Sequence, residues 1–194
     1  MKLSIDLRVN SPAQWVDAVM NDFNTFLQDH ANCERKASAM AMSFVAKYPN
    51  RMEIIPELIE TALEEMEHFR DVYAVMEKRG VLLPHEIGQD HYVKQLLDFC
   101  RSGREERFLD RLLLASVIEC RGAERFKLVA QALEDEALKQ FYKRLWTSEA
   151  RHGNIFVKMA LNYFSKDEIY VRLNELNEIE ADVLISLPIK AALH

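Results

Sequence analysis

Two stretches of the same form, Glu65-Met66-Glu67-His68 and Glu149-Ala150-Arg151-His152, decide the fold of this chain. In an α-helix, a Glu and a His three residues apart project from one face on successive turns, so both can reach one metal ion. Each pair lies on an apolar stripe with three- and four-residue spacing, over residues 58–75 and 142–159. The two stretches therefore predict amphipathic helices whose carboxylates and imidazoles face a core.

A further carboxylate precedes each of these motifs at nearly the same distance along the chain. Glu34 lies on an apolar stripe over residues 27–48, and Glu119 lies on one over residues 112–129. Buried carboxylates are costly unless they are paired or protonated, so four of them facing one core require cations. One Glu from each of two helices and a Glu-x-x-His from each of two others is the ligand pattern of di-iron and di-manganese carboxylate proteins. We therefore predict a two-metal site whose ligands are Glu34, Glu65, His68, Glu119, Glu149 and His152.

The alternative is that these residues have only a structural role. A single Glu-x-x-His is usually part of a solvated helix face, and it is informative here because it occurs twice, each time after a lone core Glu. Glu64, Glu67 and His30 lie close enough in the sequence to be mistaken for ligands. Glu67 faces away from the apolar stripe, and His30, one turn before Glu34, suits a residue that contacts a ligand rather than the metal.

The rest of the chain also predicts helices. Only five Gly and five Pro occur in 194 residues, which favours long uninterrupted helices over a sheet with many turns. Ser11-Pro12 is a helix start, Gly80 is a helix end, and Ser165 with Glu168 forms a capping box. We expect helices over residues 12–48 in one or two segments, 52–79, 91–100, 104–133, 136–164 and from 166 to just before Pro188. Residues 80–103 are then the long crossover of an all-α four-helix bundle, within one domain that spans residues 1–194.

Composition excludes several classes of protein. Apolar residues make up 49% and charged residues 29% of the chain, which is the balance of a soluble globular protein. The longest apolar run, near residues 112–118, is too short to cross a membrane, and the amino terminus lacks a secretory core. Cys33, Cys100 and Cys120 form no Cys-x-x-Cys pair, so we expect small buried thiols in a reducing cytoplasm.

The formal net charge of −6 argues at first against a nucleic-acid partner, but the charge is unevenly distributed. Residues 101–160 hold twelve Lys or Arg and nine Asp or Glu, whereas the segments on both sides are acidic. Because bound cations would neutralise the four ligand glutamates, the central segment leaves room for an anionic partner. Most basic runs are solvated helix faces, so the sequence alone does not decide which basic residues would contact such a partner. The candidates are Arg104, Arg107 and Arg111 on one side of the third core helix, then Lys139, Lys143 and Arg144, or Lys47 and Arg51.

Four segments around the proposed ligands resemble one particular family. They are Asn32-Cys33-Glu34-Arg35-Lys36-Ala37, Glu64-Glu65-Met66-Glu67-His68-Phe69, Ile118-Glu119-Cys120-Arg121-Gly122-Ala123-Glu124-Arg125-Phe126 and Ser148-Glu149-Ala150-Arg151-His152. With these segments, nearly the whole chain is similar to the bacterial tRNA hydroxylases that act on 2-methylthio-N6-isopentenyladenosine. None of the six ligand positions departs from the pattern, and the tail after Pro188 matches least.

The resemblance implies a ferritin-like fold and an oxygen-dependent hydroxylation of the isopentenyl side chain on the modified adenosine beside the anticodon. It implies two iron ions at the six ligands, O₂ as co-substrate and tRNA as substrate. With tRNA as the anionic partner, the local positive charge leads us to predict Arg104, Arg107 and Arg111 as its contacts. Because no Cys-x-x-Cys pair is present for a rubredoxin-like centre, we expect electrons from a separate reductase or ferredoxin-type donor. The competing interpretations are another di-iron oxidase, a manganese catalase and non-enzymatic iron storage.

Overall fold

The computed structural model describes residues 2–85 and 88–194, and within them it contains helices but no strand. The helices are α1 Ala13–Asn21, α2 Phe23–Lys47, α3 Ile55–Arg79, α4 His91–Asp98, α5 Arg104–Ala132, α6 Glu136–Ala160 and α7 Lys166–Ser186. The all-α class expected from the sequence is therefore confirmed. Among the described residues, no helix combines the length and the apolar character that a membrane span needs.

Local sequence explains where most of the helices begin and end. Gly80 ends α3 with a φ of 67°, a left-handed conformation that residues other than Gly rarely adopt. The expected capping box of α7 is present, because the Ser165 hydroxyl accepts from the Glu168 amide and the Glu168 carboxylate accepts from the Ser165 amide. Both of these predicted boundaries are confirmed.

Two boundaries differ from the expectation. The third helix begins at Ile55 rather than at residue 52, because Pro56 is tolerated in the first turn of a helix and not beyond it. The sixth ends at Ala160 rather than at residue 164. Past that point the chain tightens into turns whose amides bond three residues back, such as Asn162 N to Met159 O at 3.2 Å.

The chain forms two compact units. The α2–α3 unit consists of Asp17–Gly88 and Lys190–Leu193, and the α5–α7 unit consists of Met1–Val16, Gln89–Ile189 and His194. In the α2–α3 unit the two long helices pack together, and the Ser38 hydroxyl donates to the Ala62 carbonyl at 2.8 Å. The single domain expected from the sequence stays a prediction.

In the α5–α7 unit, α5 packs against α6 and α7, with the short α4 beside α5 and α7. The Ser116 hydroxyl on α5 donates to the Gly153 carbonyl on α6 at 2.6 Å. A Cβ at Gly153 would lie only 2.9 Å from the Cys120 sulfur, so the absence of a side chain there lets α5 and α6 approach closely.

This unit also buries a charged network. Arg121 on α5 and Glu180 on α7 are fully buried, with Arg121 Nε 2.8 Å from Glu180 Oε1 and Arg121 Nη2 3.0 Å from Glu180 Oε2. Tyr92 on α4 donates its hydroxyl to Glu180 at 2.9 Å. Burial, and then the charge of Glu180, raise the pKa of Tyr92, so the hydroxyl keeps the proton that it donates. Three helices are thereby joined through one carboxylate.

The residues before α1 are held against the same unit without forming a helix. The Leu3 amide donates to Asn154 Oδ1 on α6 at 2.6 Å, and the Leu3 carbonyl accepts from the Tyr170 hydroxyl on α7 at 3.1 Å. Further along, the Val9 carbonyl accepts from Arg121 Nη2 on α5 at 2.7 Å. This amino-terminal segment therefore contacts all three long helices of the unit.

Candidate metal centre

The α2–α3 half-site consists of Glu34 on α2 with Glu65 and His68 on α3. Glu34 and Glu65 are 4% and 1% exposed, so both carboxylates are buried. His68 Nδ1 lies 3.3 Å from Glu65 Oε2 and 3.7 Å from Glu34 Oε2. One potential ligand atom from each of the three residues lies within 4.8 Å of the others. The structure thus brings together the three ligands that the sequence predicts on this helix pair.

A fourth side chain, His30, contacts this half-site from the turn before Glu34. Its Nε2 lies 2.6 Å from Glu34 Oε1, and the imidazole is fully buried. The contact matches the expectation that His30 touches a ligand, and such partners orient a metal-binding carboxylate. Glu67, which the sequence places off the apolar stripe, has a side chain that is 64% exposed.

The α5–α6 half-site consists of Glu119 on α5 with Glu149 and His152 on α6. All three residues are buried, and His152 is completely so. His152 Nδ1 lies 3.4 Å from Glu149 Oε2, and one potential ligand atom from each residue lies within 4.8 Å of the others. The three ligands predicted on this helix pair therefore also lie together.

The two half-sites have the same composition, two buried carboxylates and one imidazole on a pair of packed helices. Like charges at this spacing repel each other and lose hydration, so ionised carboxylates here need a cation. Oxygen and imidazole donors without thiolate suit iron or manganese. Cys120, next to Glu119 in the sequence, is not among the residues whose donor atoms converge in this half-site. The residues present fit divalent first-row metal ions.

The arginines that the sequence nominates for RNA contacts lie at the start of α5. Arg104 and Arg107 are exposed, and Arg111 is half-buried. Between them in sequence, Asp110 is buried and accepts hydrogen bonds from two other arginines, Arg101 and Arg172. The hydrogen bonds from both arginines, and a lowered pKa of Asp110 despite its burial, identify Asp110 as the anchor of a local ion-pair cluster.

Comparison with known proteins decides the family. A family model described as tRNA-(MS[2]IO[6]A)-hydroxylase (MiaE) matches residues 3–194 of the chain. This chain belongs to that family. The resemblance inferred from the four ligand segments is thereby confirmed.

Two curated relatives of the MiaE family carry the name tRNA 2-(methylsulfanyl)-N(6)-isopentenyladenosine(37) hydroxylase. The protein from Pseudomonas putida is 36% identical over 159 residues, which cover 82% of this chain and 77% of that protein. The protein from Salmonella typhimurium is 33% identical over 135 residues, which cover 69% of this chain and 48% of that protein.

Among solved structures, this MiaE-family chain is similar to a Synechococcus protein described as protein 43 with aldehyde deformylating oxygenase activity. The TM-score is 0.90 at 31% sequence identity, and the match covers 97% of this chain and 94% of the other. This likeness confirms the ferritin-like class expected from the sequence.

Proposed function

We propose that this protein is an O₂-dependent di-iron monooxygenase that hydroxylates the isopentenyl group of 2-methylthio-N6-isopentenyladenosine in tRNA. The observation that carries the proposal is the repeated half-site, two buried carboxylates and one imidazole, in a chain of the hydroxylase family. The two half-sites together supply one Glu from each of two helices and one Glu-x-x-His from each of two others, the pattern of di-iron carboxylate proteins. A tRNA substrate also implies that the protein acts in the cytoplasm.

In this proposal each half-site provides half of the ligands of two iron ions. The ligands are Glu34, Glu65, His68, Glu119, Glu149 and His152. Four carboxylates balance the charge of two divalent cations, which offsets the cost of burying both. When bound, the iron pair supplies the reduction of O₂ and the oxidising power to replace hydrogen by hydroxyl on an unactivated carbon, which no side chain provides.

The protein's own part is to hold the ligands and to keep water away from the reaction. On α3, Leu58 and Val72 are buried on the face that carries Glu65, and on α6, Leu145 and Phe156 are buried on the face that carries Glu149. Apolar neighbours of this kind accept an isoprenoid side chain. They also exclude bulk water, which would otherwise divert a reactive oxidant.

Electrons must come from outside the chain. Inserting one oxygen atom of O₂ into a C–H bond and releasing the other as water consumes two electrons and two protons. The three cysteines, Cys33, Cys100 and Cys120, form no Cys-x-x-Cys pair that could hold a rubredoxin-like iron. We therefore propose a separate reductase or ferredoxin-type protein as the donor.

The decisive experiment uses tRNA that carries the isopentenyl but not the hydroxylated nucleoside. Iron-loaded protein, a reductant and isotopically labelled O₂ are added, and the digested nucleosides are analysed by mass spectrometry. We expect the modified adenosine to gain one labelled oxygen atom. The second candidate is an aldehyde oxygenase, which the Synechococcus structure favours. Unchanged tRNA together with turnover of an aldehyde would establish that activity instead.

A further inference from the structure

The outward side of α6 carries an uninterrupted set of cations. Lys143, Arg144, Arg151 and Lys158, here called the α6 basic face, are all exposed. The only carboxylate between residues 137 and 160 is Glu149, which is buried on the opposite side of the helix. At about 100° per residue the four cations fall within about 100° of the helix circumference. They span about 22 Å along the helix axis at its usual rise per residue.

A further cation on α5, Lys127, lies next to α6 and adds to the positive charge of the α6 basic face. Lys127 on α5 is exposed, and its ammonium lies 5.3 Å from the ring centroid of Trp146 on α6. At the amino-terminal end, Glu136 is engaged by its own helix, because Gln140 donates to it at 2.6 Å and Lys139 lies 3.5 Å away. Beyond that first turn, the one acidic residue in the sequence of α6 is the buried Glu149.

The alternative basic group at the start of α5 is of mixed charge. Arg104 and Arg107 alternate with Glu105 and Glu106, and all four are exposed. Interleaved carboxylates weaken the attraction for phosphate that neighbouring arginines would otherwise exert. The α6 basic face has no such interruption, so it is the stronger site for a polyanion.

We propose that the α6 basic face binds the sugar-phosphate backbone of the substrate RNA. The inference rests on the proposed function, since it names where that function's tRNA docks. A row of cations about 22 Å long suits one side of a base-paired stem, which proteins contact mainly through phosphates and 2′-hydroxyls. The inner side of α6 carries Glu149 and His152, about one helix diameter, or about 10 Å, from the outer side. A nucleotide base that is turned out of the loop next to the bound stem can cover this distance and reach the inner side of α6.

The test measures the affinity of the full-length protein for a synthetic anticodon stem-loop RNA that carries 2-methylthio-N6-isopentenyladenosine. Binding is followed by fluorescence anisotropy across a salt series. K143E/R144E and, separately, K158E reverse charge on the α6 basic face. K78E/K94E makes an equal charge change at exposed lysines elsewhere, and R104E/R107E makes it at the start of α5. We expect K143E/R144E to weaken binding roughly tenfold for each lost phosphate contact near 0.1 M salt and to flatten the salt dependence. K78E/K94E should bind as the wild type does.

Wild-type affinity and salt dependence in both α6 variants would overturn the proposal, as would failure of the wild type to bind the RNA. A loss confined to R104E/R107E would place the docking surface on α5.

The same preparations are assayed for hydroxylation of the RNA. Unchanged iron content and melting temperature establish that the variants are folded. If the wild type hydroxylates the RNA while the α6 variants bind normally, the docking site is wrong and the proposed function stands. If no preparation hydroxylates RNA, the proposed function fails and the binding series still decides the docking surface.

Discussion

The imidazole of His30 lies 2.6 Å from a carboxylate oxygen of Glu34, one turn further along α2, and both side chains are buried. The corresponding position in the other half-site, one turn before Glu119, is Ala115. The two half-sites therefore have the same three candidate ligands but differ in what supports the lone carboxylate. Of the two carboxylates that precede a Glu-x-x-His motif, Glu34 has an imidazole one turn earlier on its own helix to hold its orientation, and Glu119 has a methyl group at that position.

His30→Ala should lower iron affinity although His30 is not among the proposed ligands. Loss of a partner that orients a metal ligand typically reduces affinity or activity by roughly 10- to 100-fold. Iron titration followed by optical absorption would measure the change. His91→Ala, which removes an exposed imidazole on α4, is the matched control and should bind iron normally. Equal affinity in His30→Ala and wild type would show that the contact has no part in metal binding.

Glu119→Ala and His152→Ala should each lower the iron content from about two ions per chain and abolish turnover. Either change removes one of the three donors of the α5–α6 half-site, so a metal ion there would be held by fewer ligands. Metal analysis of the purified variants provides the measurement. Glu67→Ala, at the exposed position between the proposed ligands Glu65 and His68, should retain full iron content. Full occupancy in both ligand variants would remove these residues from the site.

Removal of iron should lower the melting temperature. A ligand that binds only the folded state adds about 2.7 kcal/mol when its concentration is a hundred times its dissociation constant. Without the cations, the paired carboxylates Glu34 with Glu65, and Glu119 with Glu149, repel each other within each half-site. Calorimetry of the metal-free and reloaded protein would measure the difference. Identical melting of the two forms would contradict the assignment of either half-site to metal.

Arg121→Met should destabilise the protein by about 3–5 kcal/mol, because it leaves the buried Glu180 carboxylate without its cation. The double variant R121M/E180L removes both charges and should recover much of that loss. Denaturant unfolding would compare the two. Arg70→Met is the surface control, since its 3.8 Å contact with Glu67 is exposed and should be worth no more than about 1 kcal/mol. A double variant as unstable as Arg121→Met would locate the loss in packing and not in the unpaired charge.

Tyr92→Phe should make stability less sensitive to alkaline pH. The pKa of Tyr92 is raised in the folded state above its ordinary value of 10.0, first by burial and then by Glu180. Below pH 10 its contribution to stability is complete. Above pH 10 the unfolded chain loses the phenolic proton while the folded chain keeps it, so stability falls as pH rises. Unfolding free energies from pH 8 to 11 should therefore decline less steeply in the variant, which starts about 1 kcal/mol lower for want of one hydrogen bond.

Local patterns were sufficient to predict the helices and the membership of each half-site. The Glu-x-x-His spacing depends only on helical geometry, as do the capping box at Ser165 and the end of a helix at Gly80. The start of α3 and the end of α6 were misplaced by three or four residues. Pro56 determines where α3 begins and the turns after Ala160 determine where α6 ends, whereas average helix propensity does not. That the six residues bind iron stays a prediction.

Contacts between distant parts of the chain could not be predicted from the same patterns. Arg121 lies within the segment that resembles the hydroxylases, yet nothing in the sequence pairs it with Glu180 across 59 residues. A contact between His30 and Glu34 was predicted from the sequence, because residues one helical turn apart lie next to each other. The sequence named Lys143 and Arg144 among several basic groups. Burial then separated Glu149 from the exposed cations of the same helix and added Arg151 and Lys158 to them.

The hydrogen bonds of the amino-terminal segment also constrain the order in which the protein can be completed during translation. Leu3 and Val9 are synthesised more than a hundred residues before their partners, which are Asn154 and Tyr170 for Leu3 and Arg121 for Val9. At a synthesis rate of roughly 5–20 residues per second, this segment stays without its partners for about 6 to 30 seconds. It is therefore made well before it can reach its final position.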